Sequence, residues 1–229
     1  MLILGMDTSS ETATVALLNE RKIVGEYIIS NDRTHSQIIM PLLDDLLTKA
    51  GVKISDIDVF ATCTGPGSFT GLRIGITAMK TLAQATEKPI IGIDSLKGLS
   101  LNVMSDDYIC PVIDARHNQV YTALYKDNLC KMEPDVVDVD ELLKSLAGKK
   151  VVFVGNGVVA HQDKIQSFDD GNWKIAPLHL QMQKASSICY AAYDRAVKND
   201  FDNLFSMVPL YLRKSQAERE LEERKNTIS

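Results

Sequence analysis

The sequence predicts an α/β fold with mixed sheets arranged in two lobes. Three observations carry this. Short apolar runs, three in succession and then singly, alternate with helical segments. Two of those segments have the apolar spacing of a 3.6-residue turn. A strand–turn–strand unit near the start recurs 107 residues later.

The elements follow in order. LILGMD is an apolar run ended by the polar turn TSSET; TATVALL resumes with β-branched residues, and KIVGEYIIS follows the turn NER. A helix is expected over 34–50, stopped by Gly51. DVFATCT reads as a strand opening into GPGSFTG, with a second helix over 70–85 and a strand in KPIIGID. Ser95 to Met104 reads as a further helix. Asp7 is followed nine and ten residues on by Ala16 and Leu17, and Asp114, ending ICPVID, is followed at the same offsets by Ala123 and Leu124. The remaining segments are a helical ELLKSLAG, a strand KVVFVGNG and a helix near Ala185–Val197, a looser repeat of the first half. The division expected is a first lobe over 1–100 and a reduced second lobe over 101–208. A tail over 209–229 is expected to pack back on the first lobe and then fray.

Composition narrows the function. The 229 residues carry 25 Lys and Arg against 30 Asp and Glu, a net charge of −5. A chain that grips nucleic acid unaided needs a basic stripe, since phosphate neutralisation supplies most non-specific affinity. The most basic cluster, Arg213, Lys214, Arg219, Arg224 and Lys225, is interleaved with Glu218, Glu220, Glu222 and Glu223, the pattern of a solvated tail. No run reaches the ~18 apolar residues of a membrane span. MLILGMDTSS lacks a basic start and is stopped by Asp7, so a cytoplasmic location is expected. Cys63, Cys110, Cys130 and Cys189 form no CxxC pair, and His35, His117, His161 and His179 show no ligand spacing; no metal site is expected.

The two N-terminal helices have more apolar surface than one sheet can cover. On a wheel of about 100° per residue, Ile38, Ile39, Met40, Leu42, Leu43, Leu46, Leu47 and Ala50 fill an arc of about 200°. Leu72, Ile74, Gly75, Ile76, Ala78, Met79, Leu82, Ala83 and Ala85 fill a similar arc. A helix on a sheet needs a stripe only somewhat wider than about 100°. Either each helix is covered on two sides by its own chain, or the pair forms a patch for another protein; periodicity leaves both open. Gly71, Gly75 and Ala78 would let another backbone come close.

The loop Thr64–Gly71 follows a strand and opens a helix, as phosphate loops do, but it has neither the Walker Gly-Lys-Ser/Thr nor the dinucleotide glycine spacing. A tight turn capping the helix with Ser68 or Thr70 accounts for it. Asp7 and Asp114 could face a cleft between lobes and, with Thr8, surround a nucleotide; a strand-terminal Asp can equally cap its own turn.

MDTSSETATVAL, HSQIIMPLLDDLL, TGPGSFTGLRIGITAMKTLA, GIDSLKGLS, DARHNQVYTALY and a late PLYLR resemble the TsaB (YeaZ) family from residue 1 to about 213. GPGSFTGLRIG is the most specific of these. The resemblance implies a two-lobed, actin-like fold of the ASKHA, ribonuclease H-like type. It implies a non-catalytic subunit in the N6-threonylcarbamoylation of adenosine 37 of tRNA, acting with the catalytic relative TsaD and the ATPase TsaE. ATP and a metal ion then belong to the partner subunits, and tRNA is met only within the complex. The TsaD contact implied is the first two helices, here His35, Ile38, Ile39, Leu42, Leu43, Leu46, Leu72, Gly75, Ile76 and Met79. The isolated chain could pair with itself through that surface. Where TsaD has metal-binding histidines in NHxEGH, this chain has Ser95 and Leu99, with Lys97 in place of the acid, so no catalytic residue is expected. The alternative is an ASKHA-type kinase or hydrolase using Asp7 and Asp114.

Overall fold

A computed structural model describes residues 1–31 and 33–213. The first apolar run forms β1 (Leu2–Asp7), the central strand of a five-stranded sheet. It pairs antiparallel with β2 (Thr12–Asn19), which pairs antiparallel with β3 (Lys22–Ser30). On its other side it pairs parallel with β4 (Val59–Gly65), which pairs parallel with β5 (Ile90–Asp94). β1, β2 and β4 are buried on both faces, hence their continuous apolar runs; β3 is the exposed edge.

Helix α1 (His35–Ala50) follows β3, and α2 (Phe69–Thr86) follows β4. Strand alternation places α1 and a late helix, α7 (Ala185–Ala196), on opposite faces. Gly25, opposite Leu17, leaves room for Leu46 of α1, whereas Gly5, opposite Ala16, leaves room for Cys189 of α7. The Glu26 carboxylate accepts from the backbone N–H and hydroxyl of Ser186 and so fixes the start of α7. Here the structure differs from the expected division. α7 buries Ala185, Ile188, Cys189, Ala192 and Ala196 in the first lobe's core, so the chain returns to that lobe before residue 208. Its apolar stripe complements the second face of the first sheet, which α1 and α2 leave uncovered.

Helix α3 (Ser95–Ser100) leads to the second sheet, in the order β10-β9-β6-β7-β8. Its strands are β6 (Tyr108–Asp114), β7 (Gln119–Lys126), β8 (Leu129–Asp138), β9 (Val151–Val154) and β10 (Trp173–Ile175). Read from β8, the order and the parallel or antiparallel sense of every pair match the first sheet. The repeat differs in register. Gly5 pairs with Ala16, but Val112 pairs with Thr122 rather than Ala123. The second turn is one residue tighter, with Arg116, His117 and Asn118 all at positive φ. One face of this sheet packs on α4 (Val139–Ser145) and α6 (Gln162–Phe168), with Phe153 edge-on to Trp173 at 5.3 Å; the other face takes Leu96 and Leu99 of α3. The one-turn helix α5 (Asn156–Ala160) caps the end of β6.

After α7 the chain runs back along the first lobe, where Asp202 bridges to Ile90 and the Leu210 N–H donates to the Thr64 carbonyl. The expected tail therefore begins on the first lobe; its residues 214–229 lie outside the described ones. Among the described residues no helix is long and apolar enough to cross a membrane.

Candidate functional site

Both long helices are fixed at their ends by local signals. For α1, the Thr34 N–H donates to Gln37 Oε1, and Gly51 takes the left-handed conformation that closes the helix. For α2, Ser68 Oγ accepts from the Gly71 N–H at 3.2 Å.

The wide apolar arcs split into two functions. Ile38, Ile39, Leu43 and Leu46 of α1, and Leu72, Gly75, Ile76 and Met79 of α2, are buried within the chain's own core. They had been expected at a partner contact. The correction has a simple cause: these residues lie on the side of each helix that packs on the sheet. Leu42 is half-buried. Gly71 and Gly75 do serve a close backbone approach, but to Thr8 of the same chain. A Cβ would lie 2.0 Å from the Thr8 carbonyl at Gly71 and 2.4 Å from the Thr8 hydroxyl at Gly75.

One flank of each arc is left open. Between α1 and α2 an outward groove of about 490 Å³ is lined by Ser36, Ile39, Met40, Arg73, Ile74, Thr77, Ala78, Thr81 and Leu82. Met40 is 43% exposed, and Ile74, Ala78 and Leu82 are half-buried along one stripe of α2. That stripe is legible as Ile74, Ala78, Leu82 at i, i+4, i+8; the glycines at 71 and 75, which need a close neighbour, mark the other stripe as the inner one.

The turn after β1 is packed tightly. Asp7 is buried, and its carboxylate accepts from the Ser9 N–H at 2.8 Å. Burial pushes the carboxyl above its ordinary pKa, and the bond from Ser9 holds it down in part. The Thr8 hydroxyl donates to the Gly71 carbonyl at 2.7 Å, and the Ser68 N–H donates to the Ser9 carbonyl at 2.7 Å. A Cβ on Gly67 would collide with that same carbonyl. The loop 64–71 thus gives the Ser68 N–H to the turn and the Gly71 N–H to its own Ser68 cap.

A polar cleft of about 660 Å³ lies between the lobes, lined among others by Glu11, His35, Thr70, Asp114, Arg116 and Arg213. Asp114 reaches it, while Asp7 and Thr8 do not, because both are turned into the packing beneath the loop. Of the two readings of these aspartates, the pair of carboxylates across the cleft is therefore not assembled. Asp114 accepts from the Arg116 N–H at 2.9 Å, as a turn-capping aspartate does. His35, expected at the partner contact, instead donates from Nε2 to the Ser10 carbonyl at 2.7 Å and lines the cleft.

The positions compared with the catalytic relative are packed into the fold. Ser95 is buried and donates to the Pro66 carbonyl; Leu99 is buried in the second lobe's core; Lys97 donates to the Asn128 carbonyl and lies over the Tyr125 ring. Just before them, Asp94 caps α3 by accepting from the Lys97 N–H, and burial pushes its carboxyl up to about 6. Among the described residues no group of three or more His, Cys, Asp or Glu side chains is placed to hold a metal ion.

With this geometry in view, the chain can be set beside known proteins. Residues 22–221 match the family described as TsaD, tRNA N6-adenosine threonylcarbamoyltransferase. The chain is similar to the tRNA threonylcarbamoyladenosine biosynthesis protein TsaB of Bacillus subtilis, at 32% identity over 95% of this chain and 96% of that one. It is similar to the Escherichia coli protein of the same name, at 34% identity over 71% of this chain and 74% of that one. In fold it is similar to YeaZ from Pseudomonas aeruginosa, with a TM-score of 0.79 and 24% identity over 92% of this chain and 99% of that one.

Proposed function

The chain belongs to the TsaB (YeaZ) family, within the two-lobed actin-like fold, and from that premise we propose that it serves tRNA threonylcarbamoyladenosine biosynthesis as a non-catalytic subunit that docks a TsaD-type transferase. The observation that carries this reading is the outward groove between α1 and α2, whose lining is almost wholly apolar on a chain of net charge −5. The docking residues are Met40, Ile74, Ala78 and Leu82, with Ser36, Arg73, Thr77 and Thr81 as the polar rim. The partner is itself of this fold, so its own first two helices can lie against these, and the small Ala78 lets two helices approach.

Catalysis, ATP and any metal ion belong to TsaD and to the ATPase TsaE in this reading, and tRNA is met through the assembly. Ser95 and Leu99 support it, since a buried serine bonded to a carbonyl and a core leucine offer no ligand to a metal. When the transferase is absent, the same groove pairs two copies of the chain. The test is co-purification of tagged wild type, Met40→Asp and Ala78→Asp with the TsaD-type subunit of the same cell. Wild type brings the partner down and both variants lose it while remaining folded by circular dichroism. Retention by both would overturn the reading.

A further inference from the structure

We propose that residues Leu210–Arg213 form a latch that holds the two lobes at a fixed opening of the cleft. Of these four consecutive residues the first two hold one lobe and the last two hold the other. Leu210 donates its N–H to the Thr64 carbonyl at 2.8 Å, at the end of β4. Gly65 makes room for this, since a Cβ there would sit 3.0 Å from the Leu210 carbonyl. Tyr211 stacks on Phe69 with ring centroids 4.4 Å apart and planes 9° from parallel, and its hydroxyl accepts from Arg73 Nε at 2.9 Å. These three contacts fix the segment to the first lobe.

The next two residues cross over. Leu212 packs against the second-lobe cluster that contains Ile113, Ala115 and Tyr121. Arg213 donates from Nη1 to the Ala115 carbonyl at 2.6 Å, in the turn between β6 and β7. Within itself that turn is closed by the Ala115 N–H to the Gln119 carbonyl, the Gln119 N–H to the Arg116 carbonyl and the Arg116 N–H to Asp114. Asn118 ties its far end to Asp138, Asp140, Lys164 and the Val139 N–H, so Arg213 holds the near end at Ala115. Phe69, Ala115 and Arg213 all line the cleft, so the latch spans it. The chain otherwise crosses between lobes near Ser95–Val103 and near Leu180–Ala185, where Asn102 donates to the Leu180 and Met182 carbonyls and its side-chain oxygen accepts from Ser187. The latch adds a third tie at the cleft itself. Arg73 also lines the α1–α2 groove, so whatever lies in that groove touches the residue that anchors the latch.

The test uses the full chain alone and does not depend on any partner. Hydrogen exchange and small-angle scattering are measured for wild type, Arg213→Ala and Tyr211→Ala. The expected result is several-fold faster exchange at the Ala115, Gln119 and Leu210 amides and a larger radius of gyration in both variants. The paired amides of β1 and the centre of β6 keep wild-type rates. Wild-type rates at Ala115 and Gln119 would overturn the latch. Faster exchange spread evenly into β1 and β6 would overturn it too, because the segment would then only support the fold. So would faster exchange without a change in scattering, which is fraying of one turn.

Discussion

The two lobes share one strand plan and differ in what covers it. In each, the helix after the fourth strand begins on glycines that let backbone touch the end of the first. Gly67 and Gly71 meet the carbonyls of Ser9 and Thr8, and Gly155 and Gly157 meet that of Val112. Beyond that shared start the lobes diverge. The first lobe's helix continues for 18 residues as α2, beside the 16-residue α1. The second lobe's helix stops after 5 residues as α5 at His161, and the counterpart of α1 is the 7-residue α4. A groove between two helices needs several turns of each, so only the first lobe can present one. Length beyond the cleft, rather than the sheet, is what separates the lobe with a helix–helix groove from the one without.

The comparison can be broken first at the cores. Met79→Asp and Leu43→Asp should each cost more than about 4 kcal/mol in urea unfolding, since they bury an unpaired charge. Phe153→Ala in the second lobe should cost about 3–5 kcal/mol. A mild Met79→Asp would mean that this residue faces outward after all. Next come the shared glycines: Gly71→Ala and Gly157→Ala should each cost about 1–3 kcal/mol, because the new methyl must push backbone aside. If only one does, the two helix starts are not equivalent.

A smaller effect lies at the joint between the lobes. The Asp94 carboxyl has its pKa raised to about 6 by burial, so the native state favours its protonated form. Its charge therefore costs nothing below about pH 4, costs progressively more up to about 6, and costs fully above that. Asp94→Asn, which keeps a capping oxygen for Lys97, should stabilise by on the order of 1–2 kcal/mol at pH 7 and by nothing below pH 4. Denaturation midpoints across pH 4–8 check this, and an unchanged difference between variant and wild type would refute it.

The sequence displayed the first lobe well because its elements carry strong local signals. Thr34, Gly51 and Ser68 bound the long helices, and β1 and β4 are unbroken apolar runs. β8, β10, α5 and α6 were not legible. β8 is an exposed edge interrupted by Pro134, and the others have too few residues to show a period. The place of α7 was hidden for another reason: an apolar stripe states that a helix is covered, not by which lobe. The proposed docking groove departs from the expected contact residues for the same reason. Periodicity gave the width of each arc, but one side of it, with Leu43 and Met79, lies on the sheet, and the other, with Met40, Ile74 and Ala78, is open.

The docking claim is tested most directly by titrating the purified TsaD-type subunit into wild-type chain, Met40→Asp and Ala78→Asp, and into a second-lobe control, Val159→Asp. Met40→Asp should change stability by less than about 0.5 kcal/mol, being exposed, and Ala78→Asp by about 1 kcal/mol, from its helix position, so both stay folded. Each should weaken binding at least about 30-fold, the loss expected when a central apolar anchor worth about 2 kcal/mol is removed. The exposed Val159 on α5 should tolerate its charge with unchanged affinity. Wild-type affinity in both groove variants, or an equal loss in the second-lobe control, would contradict the account.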